Sequence, residues 1–322
     1  MSKAVKVWLI VAASLVLSGV IVIGGVMMFF KWDLGRFITS KCQTNTYEIS
    51  EEFNSISVNT STADIAFVMS DDEQCRVVCY EQEKLRHSVE VKDGILTVKL
   101  VDTRRWYDHI SFYSENSMIT VYLPKAEYAS LIIRSSTGDI GIPAELGFEC
   151  IDISVSTADV KCYASATGAI KIKTNTGDIF AQGISAGSLD LSVTTGKMKI
   201  GNVTCSGDIR LGSNSGDIEI RDVLCKNIIS EGETSDISLL NVIAEARFSI
   251  ETDTGDVEFD RCDASEIFIE TDTGDVTGSF SSDKIFFAQS DTGRIDVPRT
   301  MSGGRCDITT DTGDIKIWVA AR

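Results

Sequence analysis

Three prolines in 322 residues is an unusually low count, and only two histidines are present. Scarce proline suits a chain made of strands that donate backbone hydrogen bonds on both sides, because proline removes the donor. Two histidines leave little material for a histidine-based metal site or catalytic triad; His87 and His109 read as surface or capping residues. No CxxC pair, phosphate loop, dinucleotide fingerprint or zinc motif is present. Nor does the region from Thr137 to the end show helical periodicity. Basic residues are also in deficit, 30 against 47 acidic. Beyond residue 42 the balance is 25 against 46, a net charge of −21. Such a body is repelled by polyanions, which excludes nucleic-acid partners.

What the chain has instead is one motif repeated. Thr/Ser-Gly-Asp-Ile and its variants occur ten times between Thr137 and Asp314, 19 or 20 residues apart. The glycine slot is filled by Gly138, Ala158, Gly177, Gly196, Gly216, Ser235, Gly255, Gly274, Gly293 and Gly313. Apolar residues recur seven and five positions before it, as in Leu189 and Leu191. They recur again two and often four positions after it, as in Met198 and Ile200. This is period-two alternation on either side of a turn, so each repeat supplies two short strands with one face inward. A fixed period near twenty marks a solenoid whose units bury their apolar face only against neighbours. The predicted fold is all-β: a parallel β-solenoid of about ten coils, roughly 48 Å tall at ~4.8 Å per strand spacing.

Within the turn, glycine supplies positive φ, Asp bonds its own neighbouring amides, and the Thr column stacks between coils. An earlier copy, Ser61-Thr62-Ala63-Asp64-Ile65, is separated from the next by an insertion that reads as antiparallel strands. These are Cys75–Tyr80, Ser88–Val91 and Ile95–Leu100 about an Asp93-Gly94 turn, then Met118–Leu123. Thr103–Ser117, with Trp106, Tyr107, Phe112 and Tyr113, reads as an exposed loop, and the insertion as a cap on the first coil.

Val7 to Phe30 carry no charge and are long enough to span a bilayer, with Trp8, Phe29, Phe30 and Trp32 as interfacial anchors. The run is longer than a signal-peptide core and no A-x-A-like site follows. Lys3 and Lys6 oppose Lys31, Arg36 and Lys41, so charge does not fix the orientation. The expected organisation is an anchor and juxtamembrane segment at 1–42, a first coil with its insertion at 43–130, and the solenoid at 131–322. The body is expected outside the cytoplasm.

Ile119-Thr120-Val121-Tyr122-Leu123-Pro124, then Leu131 through Ile140, then iterated Thr-Gly-Asp-Ile/Val, resembles the bacterial DUF4097 family. The resemblance implies β-strand repeats, an N-terminal membrane anchor and a candidate adhesin role. It supplies no catalytic residues.

Asp-Thr-Gly at Asp253, Asp272, Asp291 and Asp311 also marks aspartic proteases, but copies stacked along one edge do not form a facing dyad. Together with Asp256, Asp275 and Asp314 they crowd that edge with oxygen. This is a candidate Ca²⁺ edge, weighed against a purely structural turn role, which we prefer. Like charges 4.8 Å apart repel by only about 0.9 kcal/mol in water, so no metal is required. No other cofactor is expected. Cys205 and Cys225 share one repeat slot and are either a disulfide or small buried hydrophobes. Cys75 and Cys79 share a strand face but are too few donors for a metal. The expected function is a non-enzymatic, membrane-anchored surface scaffold, an adhesin, with a surface glycan or envelope protein as partner and no small-molecule substrate. An envelope-stress accessory that contacts another membrane protein is the alternative, and a polysaccharide-active enzyme the third reading.

Overall fold

The computed structural model describes residues 3–29, 42–105 and 117–320. It divides into two compact units. The first comprises residues 1–43, 82–85 and 102–115 and contains the helix Lys3–Phe29. Val5–Phe29 is long and apolar enough to cross a membrane. Its large side chains, Trp8 and Leu15 among them, are exposed. Elsewhere in this unit Gln82 pairs with Leu85, and both the amide and the hydroxyl of Thr103 donate to the Lys84 carbonyl. Phe30, Trp32, Lys31, Arg36 and Lys41 lie outside the described residues, as do His109 and the aromatic residues of 106–116.

The second unit, residues 44–81, 86–101 and 116–322, is the parallel β-solenoid. The repeat slots fall into register as the spacing requires: Thr137 pairs with Thr157, Thr157 with Thr176, Thr176 with Thr195 and Thr195 with Ser215. The inward positions of successive coils form one continuous core. Leu189, Leu191, Met198 and Ile200 are all buried, and so are their counterparts above and below. Toward the C-terminal end Phe248, Phe259, Phe280 and Phe286 stack through the interior with ring centroids 5.2 to 6.4 Å apart.

Glycine at the turn answers to two constraints. At Gly196 φ is 146°, and an added Cβ would sit 2.1 Å from the carbonyl oxygen of Gly177 in the coil before. Gly313 lies outside the positive-φ region, yet its Cβ would meet the Gly274 oxygen at 1.9 Å. Close approach of successive turns is therefore the shared reason, and positive φ adds to it in only some coils. A second corner lies six residues after the slot, with left-handed φ of 52° to 68° at Gly183, Asn202, Asp222, Asn241 and Arg261. Gly, Asn and Asp tolerate this conformation best.

At the start, the insertion contains the expected antiparallel strands and does more. Cys75–Gln82 runs antiparallel to Ser117–Leu123. Asp93 and Gly94 form the turn, with φ of 53° and 76°. Ile95–Asp102, however, pairs parallel with Ser55–Asn59, and Ser117–Leu123 parallel with Ala63–Met69. The insertion thus adds a further coil to the stack, and the antiparallel strand lies against its edge.

At the other end the stacking order departs from the chain order. Glu266–Thr273 pairs with Gly304–Thr312, which in turn pairs with Lys284–Thr292. The last coil in sequence sits inside the stack and the penultimate one lies at its end. On that end coil Phe287 is 57% exposed and Ile295 46%. Replacing Gly196 with Ala is expected to destabilise the protein by about 1–3 kcal/mol, through both the φ penalty and the blocked carbonyl. Chemical denaturation measures this, and an unchanged midpoint would contradict the close approach.

Candidate functional site

The aspartate that follows each glycine is placed by the same turn. Its carboxylate reaches along the stack rather than back onto its own turn. Asp139 N–H donates to Asp64 Oδ1 at 2.9 Å, Asp159 N–H to Asp139 Oδ1 at 3.0 Å, and Asp178 N–H to Asp159 Oδ1 at 2.8 Å. The ladder resumes with Asp256 on Asp236, Asp275 on Asp256 and Asp314 on Asp275, at 2.9, 2.8 and 2.7 Å. The Asx-turn expected from the sequence is therefore replaced by an inter-coil bond. Lys197, which interrupts the column, ion-pairs with Asp217 at 2.6 Å. Arg294 closes the column on the end coil, its N–H donating to Asp314 Oδ1 at 2.8 Å.

The seven aspartates of the candidate calcium edge lie on this ladder and beside it. Asp256, Asp275 and Asp314 each accept a backbone amide, while Asp253, Asp272, Asp291 and Asp311 occupy the neighbouring outward column. All seven are exposed.

A second hydroxyl column was not visible as a motif. Three residues before the slot, Thr174, Ser213, Thr252, Thr271, Ser290 and Thr310 are turned toward backbone carbonyls of the turns. Ser213 donates to the Gly216 oxygen at 3.1 Å and Ser290 to the Gly313 oxygen at 2.9 Å. The signal was the recurrence of Thr or Ser at a position that alternation assigns to the interior. Ser235 replaces glycine in one turn, and Gly232 at that coil's third-previous position leaves room for its side chain, 3.3 Å from where a Cβ would be.

Cys205 and Cys225 are free thiols, and with Cys75, Cys79, Cys162, Cys262 and Cys306 they make seven buried cysteines. Burial, with smaller effects from Cys205, Asp208 and Glu245, pushes the Cys225 thiol up to about 12. Such thiols are poor nucleophiles and pack as small apolar groups.

One polar cluster is buried at the insertion. Cys79 and Glu81, two residues apart on one strand, point inward together, and His87 faces them from the next strand. Relative exposures are 0%, 0% and 3%. Glu81 Oε2 accepts the His87 backbone amide at 2.6 Å and lies 2.7 Å from His87 Nδ1; Asn45 Nδ2 donates to Glu81 Oε1 at 2.6 Å. Thr60 Oγ1 lies 2.8 Å from His87 Nε2, and the Tyr47 hydroxyl donates to the His87 carbonyl at 2.9 Å. Burial, then the Glu81 charge, pushes the Cys79 thiol up to about 12. The surface role expected for His87 is corrected, because Glu81, Thr60 and Tyr47 enclose it within the insertion. The Thr60–His87–Glu81 order resembles a hydrolytic triad, but Thr60 is 6% exposed. A surface groove of about 760 Å³ nearby, lined by residues such as Glu48, Phe53, Cys75 and Tyr128, contains none of the three.

If the Asp ladder is a hydrogen-bond device, Asp275→Asn keeps stability within about 0.5 kcal/mol because the amide oxygen still accepts. Asp275→Ala loses about 0.5–1.5 kcal/mol. Excess calcium leaves the melting temperature of the unaltered protein unchanged. Equal losses from both variants, or a calcium-dependent rise in melting temperature, would speak for a charged, metal-holding edge instead.

No curated protein matches this chain. Among solved structures it is similar to a "putative adhesin" from Bacteroides fragilis NCTC 9343, at 15% identity and a TM-score of 0.44, covering 87% of this chain and 99% of that one. A "putative lipid binding protein" from Parabacteroides distasonis ATCC 8503 is similar at 13% identity and TM-score 0.45, covering 86% and 98%. A "putative adhesin" from Parabacteroides merdae ATCC 43184 gives 12% and 0.36, with 87% and 97% covered. The Toastrack DUF4097 family model matches residues 53–222 and 207–322, which together take in the whole solenoid from its first coil, and the chain belongs to that family.

Proposed function

We propose that this protein is a membrane-anchored surface scaffold that acts by binding rather than by catalysis, an adhesin whose partner is a surface glycan or an envelope protein. The observation that carries the reading is where the repeated polar side chains go. The Asp column accepts backbone amides of the next coil, and the inward Thr/Ser column donates to turn carbonyls, across coils at Ser290 and Thr310. Residues that recur for chemistry converge on a cleft; these are distributed along the stack and hold coil to coil.

The outward faces are laced between coils by ion pairs such as Lys171–Asp190, Lys199–Glu219 and Arg247–Glu266. Exposed pairs of this kind contribute little to stability individually, and they leave a charged, soluble flank. The helix Lys3–Phe29, uncharged from Val7 onward, supplies the hold on the bilayer, and the acidic body is repelled by anionic headgroups.

Protease treatment of intact cells that express the full chain is expected to cleave the solenoid, and deletion of its gene to reduce attachment to a glycan-coated or host-derived surface. A body protected in intact cells removes the surface reading. Normal attachment with an altered antibiotic response would replace it by the stress-accessory role.

A further inference from the structure

We propose that Cys79, Glu81 and His87 form a binding site for a divalent transition-metal ion of the zinc class, built into the first-coil insertion. Among the described residues this is the one group of three His, Cys, Asp or Glu side chains whose ligand atoms all lie within 4.8 Å of one another. A tetrahedral zinc ion with bonds of about 2.0–2.3 Å places its ligand atoms roughly 3.2–3.7 Å apart. One local change needed is a separation of His87 Nδ1 from Glu81 Oε2, now 2.7 Å, by about half an ångström, and any ligand pair near the 4.8 Å limit must close by about 1 Å. Sulfur, imidazole nitrogen and carboxylate oxygen together are a zinc-type donor set; calcium and magnesium take oxygen alone.

The surroundings favour a site over an accidental meeting of side chains. Metal-binding histidines hold their second ring nitrogen on a fixed partner, and ligating carboxylates are themselves hydrogen-bonded. Both partners are in place. Thr60 Oγ1 lies 2.8 Å from His87 Nε2, and Asn45 Nδ2 donates to Glu81 Oε1 at 2.6 Å. On metal binding the Cys79 thiol proton leaves to solvent. The imidazole binds through Nδ1 and carries its proton on Nε2, where it donates to the Thr60 hydroxyl, a group able to accept as readily as it donates. Glu81 exchanges its contact with Nδ1 for the metal and keeps its amide partners. Three protein ligands leave a fourth position for water or another small ligand. The three side chains are deeply buried, so the effect of binding is to tie together the strands Cys75–Gln82 and Leu85–Lys92.

The test uses the full chain in detergent, stripped with chelator and then titrated with cobalt(II). We expect one equivalent to bind with a cobalt–thiolate charge-transfer band, to be displaced by zinc, and to raise the melting temperature. Cys79→Ser should abolish the band, and Thr60→Val should weaken binding about tenfold. X-ray absorption on the zinc-loaded wild-type protein should show one sulfur and otherwise nitrogen or oxygen ligands, a readout that does not depend on any variant folding. A folded wild-type protein that gives no band, a band that survives Cys79→Ser, or a zinc shell with no sulfur or more than one would overturn the proposal.

Discussion

Everything in the solenoid depends on how closely one turn can lie on the next. Carbonyl oxygens of one coil occupy the space where a side chain of the following turn would begin, at about 2 Å for Gly196 and Gly313. That approach lets the amide after each glycine reach the aspartate of the neighbouring coil and lets each turn amide reach a carbonyl, such as Gly177 N–H to Thr195 O at 3.0 Å. Parallel coils share no hairpin to hold their register. Register is set here by polar contacts at the corner and by burial of alternate side chains, since a one-residue slip would turn the apolar set outward. Ala158 and Ser235 mark where the constraint bends, and in the second case Gly232 yields the space.

The stack was legible because a period of 19 or 20 residues and alternation on both sides of the turn are properties of the string itself. Register followed too: Thr176 on Thr195 and Ile179 on Met198 are read directly from equal spacing. The direction in which a side chain bonds was not legible. An aspartate next to glycine fits an Asx-turn or a bond to the next coil equally well, and only the inter-coil distance decides. The second corner left just a weak trace, because Gly183, Asn202, Asp222 and Asn241 share a tolerance for left-handed φ rather than an identity, and Arg261 lacks even that. The cluster around His87 was hidden for a different reason. Cys79, Glu81 and His87 lie within nine residues but on two different strands, and Thr60 reaches His87 from 27 residues upstream, so spacing alone did not show that they meet.

The two ends of the solenoid solve the edge problem differently. At the start, Cys75–Gln82 lies antiparallel against the outermost coil, and the buried Glu81–His87–Thr60 chain is enclosed beneath the covering strands. At the far end nothing among the described residues pairs with the outer side of Lys284–Thr292, and its inward positions are only partly covered. A free strand edge invites another strand. Here it bears Phe287 between Arg305 and its neighbours, with the guanidinium 5.2 Å from the ring centroid.

The exchanged order of the final coils constrains how the molecule comes into being. In chain order the segment around Gly293 precedes its final neighbour, and the coil of Gly274 offers it a matching register in the meantime. The ribosome must then deliver the segment around Gly313 before the true neighbours can meet, so this terminus cannot zip up one rung at a time as the rest can. A premature stop near residue 300 would therefore not shorten the ladder by its outermost rung; it would remove an interior one and leave the present end rung facing a neighbour it does not touch in the finished protein.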